Sequence, residues 1–397
     1  MPDDVYWDPF DPAINLDPHP VWRRMRDEQP VYRNDRFDFV ALSRHDDVDA
    51  ALVDPGTYSS AHGTVLELMT PEPMQTGHII FMDPPAQTTL RVLVSRAFTP
   101  RRIAALEEHI RALCVELLDA QVGSGGFDYL QDFAAQLPSL VISQLMGVDP
   151  ADREEIRRTI DQTFHLEEGK GMFNEVSLAA QVKLRTYFTE QIDARREDPR
   201  DDMMTGLVQA EVTTAEGTRR LSTAEAADFS NLLVSAGTET TARLIGWACE
   251  LLAAHPDQRA DLAADPSLLA NAVEETLRYE APSAVQGRVS TRDVELHGTK
   301  IAAGSKVLLL TGSAGRDARK YPDPDRYDIH RRFDSHVSFG HGAHFCLGAA
   351  LARMEARIAL EETLRRFPTW DVDHDRTVRL HTSTVRGHEK LPIRVAS

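Results

Sequence analysis

Between Leu221 and Ala254 the chain carries one unusually long helical pattern, and the rest of the fold has to be built around it. The run opens at Leu221-Ser222-Thr223-Ala224-Glu225, where Ser222 or Thr223 can cap the first turn. It closes at His255-Pro256, because the residue before a proline is pushed out of the α region. Its middle, Ala236-Gly237-Thr238-Glu239-Thr240-Thr241, is a poor helix interior, since glycine and threonine both have low helix propensity. Threonine hydroxyls bond back to the preceding turn and open the backbone ladder. A bend there makes room for a small molecule or water. Glu239 beside Thr240 places a carboxyl next to a hydroxyl, a pair able to relay protons. Taken alone, the hexapeptide fits a solvated polar helix face equally well.

The remaining pattern is mostly helical. Arg101 to Leu118 spaces Ile103, Leu106, Ile110, Leu113 and Leu117 along one face. Pro266 to Tyr279 predicts another helix, stopped near Pro282, and Ala349 to Arg366 a third. Strand-like pieces are short: Phe37 to Leu42, then Asp293 to Leu296, Lys300 to Ala302 and Lys306 to Leu310, with Gly298 and Gly304 as turns. The tail after Thr369 alternates in the same way. The expectation is a mainly α fold with a small β region, without internal repeats.

Composition narrows the class of function. The net charge is −18, which argues against nucleic acid, because phosphate contacts need clustered Lys and Arg. No window approaches the length of apolar sequence that a membrane span needs, and the acidic start resembles no signal peptide. Cys114, Cys249 and Cys346 are odd in number and far apart, which fits a reducing cytoplasm better than a disulfide framework.

The most informative segment is Phe339-Gly340-His341-Gly342-Ala343-His344-Phe345-Cys346-Leu347-Gly348, a glycine-rich turn running into the helix from Ala349. A cysteine at the mouth of a helix sits near backbone N–H groups and the positive dipole end, and both favour thiolate. Thiolate is a soft ligand suited to iron. Gly348 would let the helix lie against something flat and bulky. Three other readings compete. A dinucleotide loop is disfavoured because Phe345 stands where the third glycine belongs. A zinc site built from His336, His341, His344 and Cys346 lacks orderly ligand spacing. A plain buried thiol remains the reading of Cys346 taken by itself.

The whole block closely resembles the haem-binding motif of cytochromes P450. The resemblance runs from about Tyr6 to the tail and implies the cytochrome P450 fold, residues 1–397 forming a single domain. It implies haem b (iron protoporphyrin IX), held by Cys346 as iron ligand, whose electron donation favours O–O cleavage in this family. Phe339, Gly340, Gly348, Ala236 and Gly237 fall on its cofactor-contacting positions. His344, Arg288 and Arg91 match the positions that bind the propionates. Gln87 stands where a histidine is usual, which puts that contact in doubt. Glu239 and Thr240 match the acid and alcohol that deliver protons to dioxygen, Glu replacing the usual Asp. Glu275-Thr276-Leu277-Arg278 resembles the E-x-x-R motif, and Arg326 resembles the arginine that completes its triad.

The resemblance further implies a monooxygenase that inserts one oxygen atom from O2 into a hydrophobic small molecule. Electrons would come from a separate ferredoxin-type partner, docking on Arg96, Arg353 and Arg357. Three variable regions would contact substrate: Thr64 to Ile80 with Val65, Leu66, Ile79 and Ile80; the surroundings of Phe164 and Met172; and Ala284, Val285 and the turn near Thr384. A peroxide-dependent peroxygenase is the main alternative and a haem sensor the lesser one. The acid–alcohol pair favours dioxygen, and the distal helix offers no second iron ligand.

Overall fold

In a computed structural model of the chain, residues 4–395 are described except 75, 96–97, 166, 168–170, 172–173 and 215–216. About 51% of the chain is helical. The helices that build the site are α1 (Ala86–Ser95), α2 (Glu107–Asp119), α3 (Gln136–Met146), α4 (Arg153–Thr163), α5 (Glu175–Glu197), α6 (Thr223–Ala254), α7 (Leu269–Tyr279) and α8 (Ala349–Arg366). Among the described residues no helix is long and apolar enough to cross a membrane.

At 32 residues, α6 is about 48 Å long and forms the spine. Its start is a capping box: the Ser222 hydroxyl accepts from the Glu225 N–H, and the Glu225 carboxylate accepts from the Ser222 N–H at 2.9 Å. Every residue from Thr241 to Leu252 is buried, as a helix surrounded on all sides requires. One apolar cluster joins the C-terminal half of α6 to α2, α7 and α8. A second joins its N-terminal half to α3, α4 and α5.

The largest sheet has five strands, β1 (Val31–Asn34), β2 (Phe39–Leu42), β3 (Tyr58–Ser59), β4 (Gln286–Ser290) and β5 (Lys306–Leu309). Their order is β1-β2-β5-β4-β3, with β5 parallel to β2 and the other pairs antiparallel. A separate hairpin, β6 (Val378–His381) with β7 (Arg386–Lys390), lies against α6.

Three local expectations are modified. The helix expected over Arg101–Leu118 is broken at Ala105-Leu106, so that Ile103, before the break, and Ile110, after it, reach the same cluster. The helix expected from Pro266 begins with a 3-10 turn, Pro266–Leu268. The Thr-rich centre of α6 does not interrupt the helix. The hydroxyls of Thr238 and Thr240 donate back to the carbonyls of Val234 and Ala236 at 2.8 and 3.0 Å, yet helix continues on both sides. Gly237 has a packing reason: a Cβ there would meet the Ile142 side chain of α3 at 3.3 Å.

Glu355, buried in α8, carries an energetic cost. One of its carboxylate oxygens has no partner, and burial pushes its pKa up to about 8. The folded chain therefore holds a proton that the unfolded chain releases above pH about 4.5. Stability is full below that pH and falls as pH rises towards 8, by about 5 kcal/mol in total at about 1.36 kcal/mol per pKa unit. Glu355→Gln keeps the shape without the proton. Its melting temperature should exceed that of the parent more at pH 8 than at pH 5, and an equal difference at both values would refute the assignment.

Candidate active site

Gly340 and Gly342, at φ +68° and +65°, turn the loop through the left-handed region that favours glycine. The Cys346 N–H closes the loop onto the Phe339 carbonyl at 2.8 Å. The Phe339 ring lies 6.5 Å from that of Phe345 and beneath the Arg353 guanidinium at 4.5 Å. The backbone N–H of Gly348, the residue that caps α8, is directed at the Cys346 thiol. Sequence reasoning expected the helix mouth to favour thiolate. Burial wins instead and pushes the thiol up, against the opposing pull of the Gly348 N–H, Arg91 and Arg353. Without a bonded cation Cys346 is a thiol, and a coordinating metal ion is what would deprotonate it.

Helix α1 braces this loop. Arg91 donates to the Phe345 carbonyl, and the buried Gln87 amide donates to the Ala343 carbonyl at 2.7 Å. Gln87, the residue left in doubt by the sequence, is thus a support of the cysteine loop.

Three donors gather here. Arg288 on β4 is 3% exposed, and burial lowers its pKa to about 10. Among the described residues its hydrogen bonds go to the Gly287 carbonyl and the Gln286 amide oxygen. Asp83, the acid whose field reaches it, already accepts from Ser59 and Ser60. Burial, then the charge of Arg288 and more weakly that of Arg91, lowers His344 to about 4, and its buried Nε2 has no partner among the described residues. A buried guanidinium beside an imidazole nitrogen with no partner calls for an anion that can accept from both. A Cβ on Gly348 would meet nothing within 4 Å, so open space lies beside the cysteine. The donor set, the orphaned imidazole nitrogen and the open face fit a flat dianionic macrocycle whose metal takes one sulfur.

The cytochrome P450 family profile matches residues 34–391. The chain belongs to the cytochrome P450 family. It is 43% identical to cytochrome P450 123 of Mycobacterium tuberculosis, over 98% of this chain and 96% of that one. It is 38% identical to cytochrome P450 107B1 of Saccharopolyspora erythraea, over 97% and 96%. Among solved structures, a mutant of P450 EryK in complex with erythromycin B superposes with a TM-score of 0.89 at 35% identity, covering 97% of both chains. The fold is the P450 fold and the protein is a haem-iron monooxygenase acting on a small molecule with O2.

On the P450 distal helix Glu239 is 3% exposed and clamped by Arg243, one turn on, whose Nε donates at 2.9 Å. Arg243 Nη2 adds a second bond to the same oxygen, and Nη1 donates to the His388 carbonyl on β7. Sequence reasoning missed Arg243, although its i,i+4 spacing from Glu239 was visible. On α4, Asp161 is 42% exposed at its side chain and accepts from Arg157 at 2.9 Å, and what burial it has, then the charge of Glu239, raise its pKa against the pull of Arg157 and Arg243.

The E-x-x-R pair is completely buried, with Arg278 Nε 2.6 Å from Glu275. The third arginine is corrected: Arg326 is 70% exposed at its side chain and offers the pair only its carbonyl. Arg331 takes that place, 3.2 Å from Glu275, because the loop after Tyr327 folds back over α7 and turns Arg331 inward. Its other nitrogens hold the carbonyls of Pro322, Asp323 and Arg326.

The expected substrate segments converge. The Thr64 carbonyl accepts from the Gly287 N–H, and the Thr384 hydroxyl donates to the Val285 carbonyl. Leu66 and Val285 are 8% and 5% exposed in one apolar cluster, while Ile79 and Ile80 pack into another. Val65 is half-buried and Ala284 fully buried. Phe164 packs at the edge of the cluster around α4; Met172 and Arg96 lie outside the described residues. Arg353 and Arg357 are each paired, with Glu274 and Glu107.

Arg331→Ala should destabilise the protein by about 2–4 kcal/mol, as the loss of a partner from a buried ion network does. Arg326→Ala should change stability by under about 0.5 kcal/mol. Urea unfolding of both variants is the check, and the reverse order would restore Arg326 to the triad.

Proposed function

We propose that the chain is a haem b monooxygenase that oxidises a largely apolar small molecule with electrons from a separate ferredoxin-type protein, working as one domain in the cytoplasm. The single observation that carries the reading is the Cys346 thiol beside open space, with the donors of Arg288, His344 and Arg91 gathered around it. Cys346 Sγ would hold the iron, and the three donors would hold the propionates. The bound haem supplies dioxygen activation and the oxidation of the substrate.

The chain's own residues do the rest. The Gly348 N–H and the Arg91 charge stabilise negative charge on Sγ. The Thr240 hydroxyl donates to the Ala236 carbonyl, which leaves its oxygen free to accept a proton donor from the cavity side. Arg243 fixes the Glu239 carboxylate one residue away, so that a proton carried there is released at a fixed place. Val65, Leu66, Ile79, Ile80, Val285 and Thr384 are proposed as substrate contacts, and their mostly apolar chemistry supports an apolar ligand. The exposed Phe345 and Val92, near half-exposed Arg353 and Arg357, support docking of a redox protein on the cysteine side.

The test is spectroscopic. Reduced protein with carbon monoxide should give the far red-shifted Soret band of thiolate-bound haem, and Cys346→His should lose it. A colourless preparation that refuses hemin would end the proposal. With a ferredoxin and its reductase, Thr240→Val should consume NADPH at a similar rate while product per electron falls about tenfold, peroxide appearing instead. Unchanged coupling would remove Thr240 from proton delivery.

A further inference from the structure

One carboxylate of α6 holds the segment that carries Ile79 and Ile80. The Gly77 N–H donates to Asp228 Oδ2 on α6 at 3.0 Å. The two approach so closely that a Cβ on Gly77 would lie 2.9 Å from Asp228 Oδ2 and 3.0 Å from the Asp228 Cβ. The contact therefore calls for a residue without a side chain. Asp228 is only 13% exposed at its side chain, and its other oxygen, Oδ1, has His78 Nε2 and Arg185 Nε of α5 at 3.9 Å each. Three elements meet on this acid: the segment before α1, the spine α6, and α5.

The far end of the segment is held as well. The Asp83 carboxylate accepts from the Ser59 hydroxyl and the Ser60 N–H. Between the two attachments run His78, Ile79, Ile80, Phe81 and Met82. The Phe81 N–H donates to the His78 carbonyl at 2.9 Å within the 3-10 turn Ile79–Phe81, and the His78 and Phe81 rings stack at 6.0 Å. Ile79 enters the apolar cluster that Phe229 and Leu232 of α6 also enter, and Ile80 packs against it. A turn tied at both ends takes its place from its anchors, and binding side chains on loops are well placed where a rigid element positions them. Asp228 and Thr240 stand on the same helix about 18 Å apart, at about 1.5 Å per residue, so Asp228 is remote from the proposed proton-handling pair.

We propose that Asp228 is a positioning residue for substrate binding: by holding Gly77 against α6 it sets where Ile79 and Ile80 stand, and so governs affinity for the apolar body of the ligand without touching it. This role deepens the monooxygenase reading and rests on its placing of Ile79 and Ile80 against the substrate.

The experiment uses the haem-loaded enzyme and two azoles whose nitrogen binds iron, imidazole and 4-phenylimidazole, the second adding an apolar ring. Dissociation constants come from titration of the Soret shift. Asp228→Leu, close in size but without the acceptor, should weaken 4-phenylimidazole about tenfold and leave imidazole within about twofold. Asp228→Asn, which keeps an oxygen for the Gly77 N–H, should stay within about threefold of the parent for both azoles. Gly77→Ala, which drives a Cβ into the carboxylate, should repeat the pattern of Asp228→Leu. Equal weakening of both azoles in Asp228→Leu, no weakening of either, or an Asp228→Asn variant as impaired as Asp228→Leu overturns the proposal. The carbon monoxide spectrum keeps two failures apart: a parent without the thiolate band ends the haem reading, whereas a parent with the band whose variants bind both azoles unchanged ends this inference alone.

Discussion

The Glu275 carboxylate is the point from which the cysteine side of the molecule is held. It is completely buried, and it receives Arg278 from its own helix, Arg331 from the returning loop and the backbone N–H of Asp328. Arg278 passes the connection on to the carbonyls of Gly315, Pro324 and Arg326. One buried charge thus fixes a long segment that has almost no regular structure. The next turn of the same helix continues the work: the Ser338 hydroxyl donates to the Leu277 carbonyl, and His336 pairs with Glu274. Phe339 comes at once after Ser338, so the loop that carries Cys346 starts from a position set by α7. Such a network gives little net stability over an apolar core, but removing one member leaves a buried charge unpaired.

The β6–β7 hairpin plays the matching part on the other side. Its strand β7 offers the His388 carbonyl to Arg243, which clamps Glu239. Its turn offers Ser383 to Glu67 and Thr384 to Val285. His388 and Arg379 are tied in turn to Glu250 on α6. Arg243, and through it Glu239, as well as the Glu67 and Val285 segments are therefore all tied to one hairpin. Sites of this kind need supporting shells whose own geometry is locked.

How much of this the sequence discloses depends on how local the determinant is. Helix α8 begins at Ala349 and ends at Arg366 as expected, because its glycine entry and its periodicity lie within one stretch. The long α6 is legible for the same reason, down to the Ser222 cap. Non-local choices are not. Arg326 and Arg331 are five residues apart in a loop, and only its path over α7 decides which one reaches Glu275. The thiol of Cys346 is a competition between a helix mouth, which sequence reveals, and burial, which it does not. Gln87 looked like a lost contact because the cysteine loop that it braces lies 256 residues away.

The charged residues divide by where their counter-charge is found. Glu275, Glu280, Glu250 and Glu274 have cations within the chain, which burial alone would demand of them, and their roles are architectural. Among the described residues Arg288 bonds to a backbone carbonyl and an amide oxygen, and the His344 Nε2 has no partner. Glu239 belongs with the first group by its Arg243 clamp, yet it also raises Asp161 across the gap to α4, so its field extends beyond its partner.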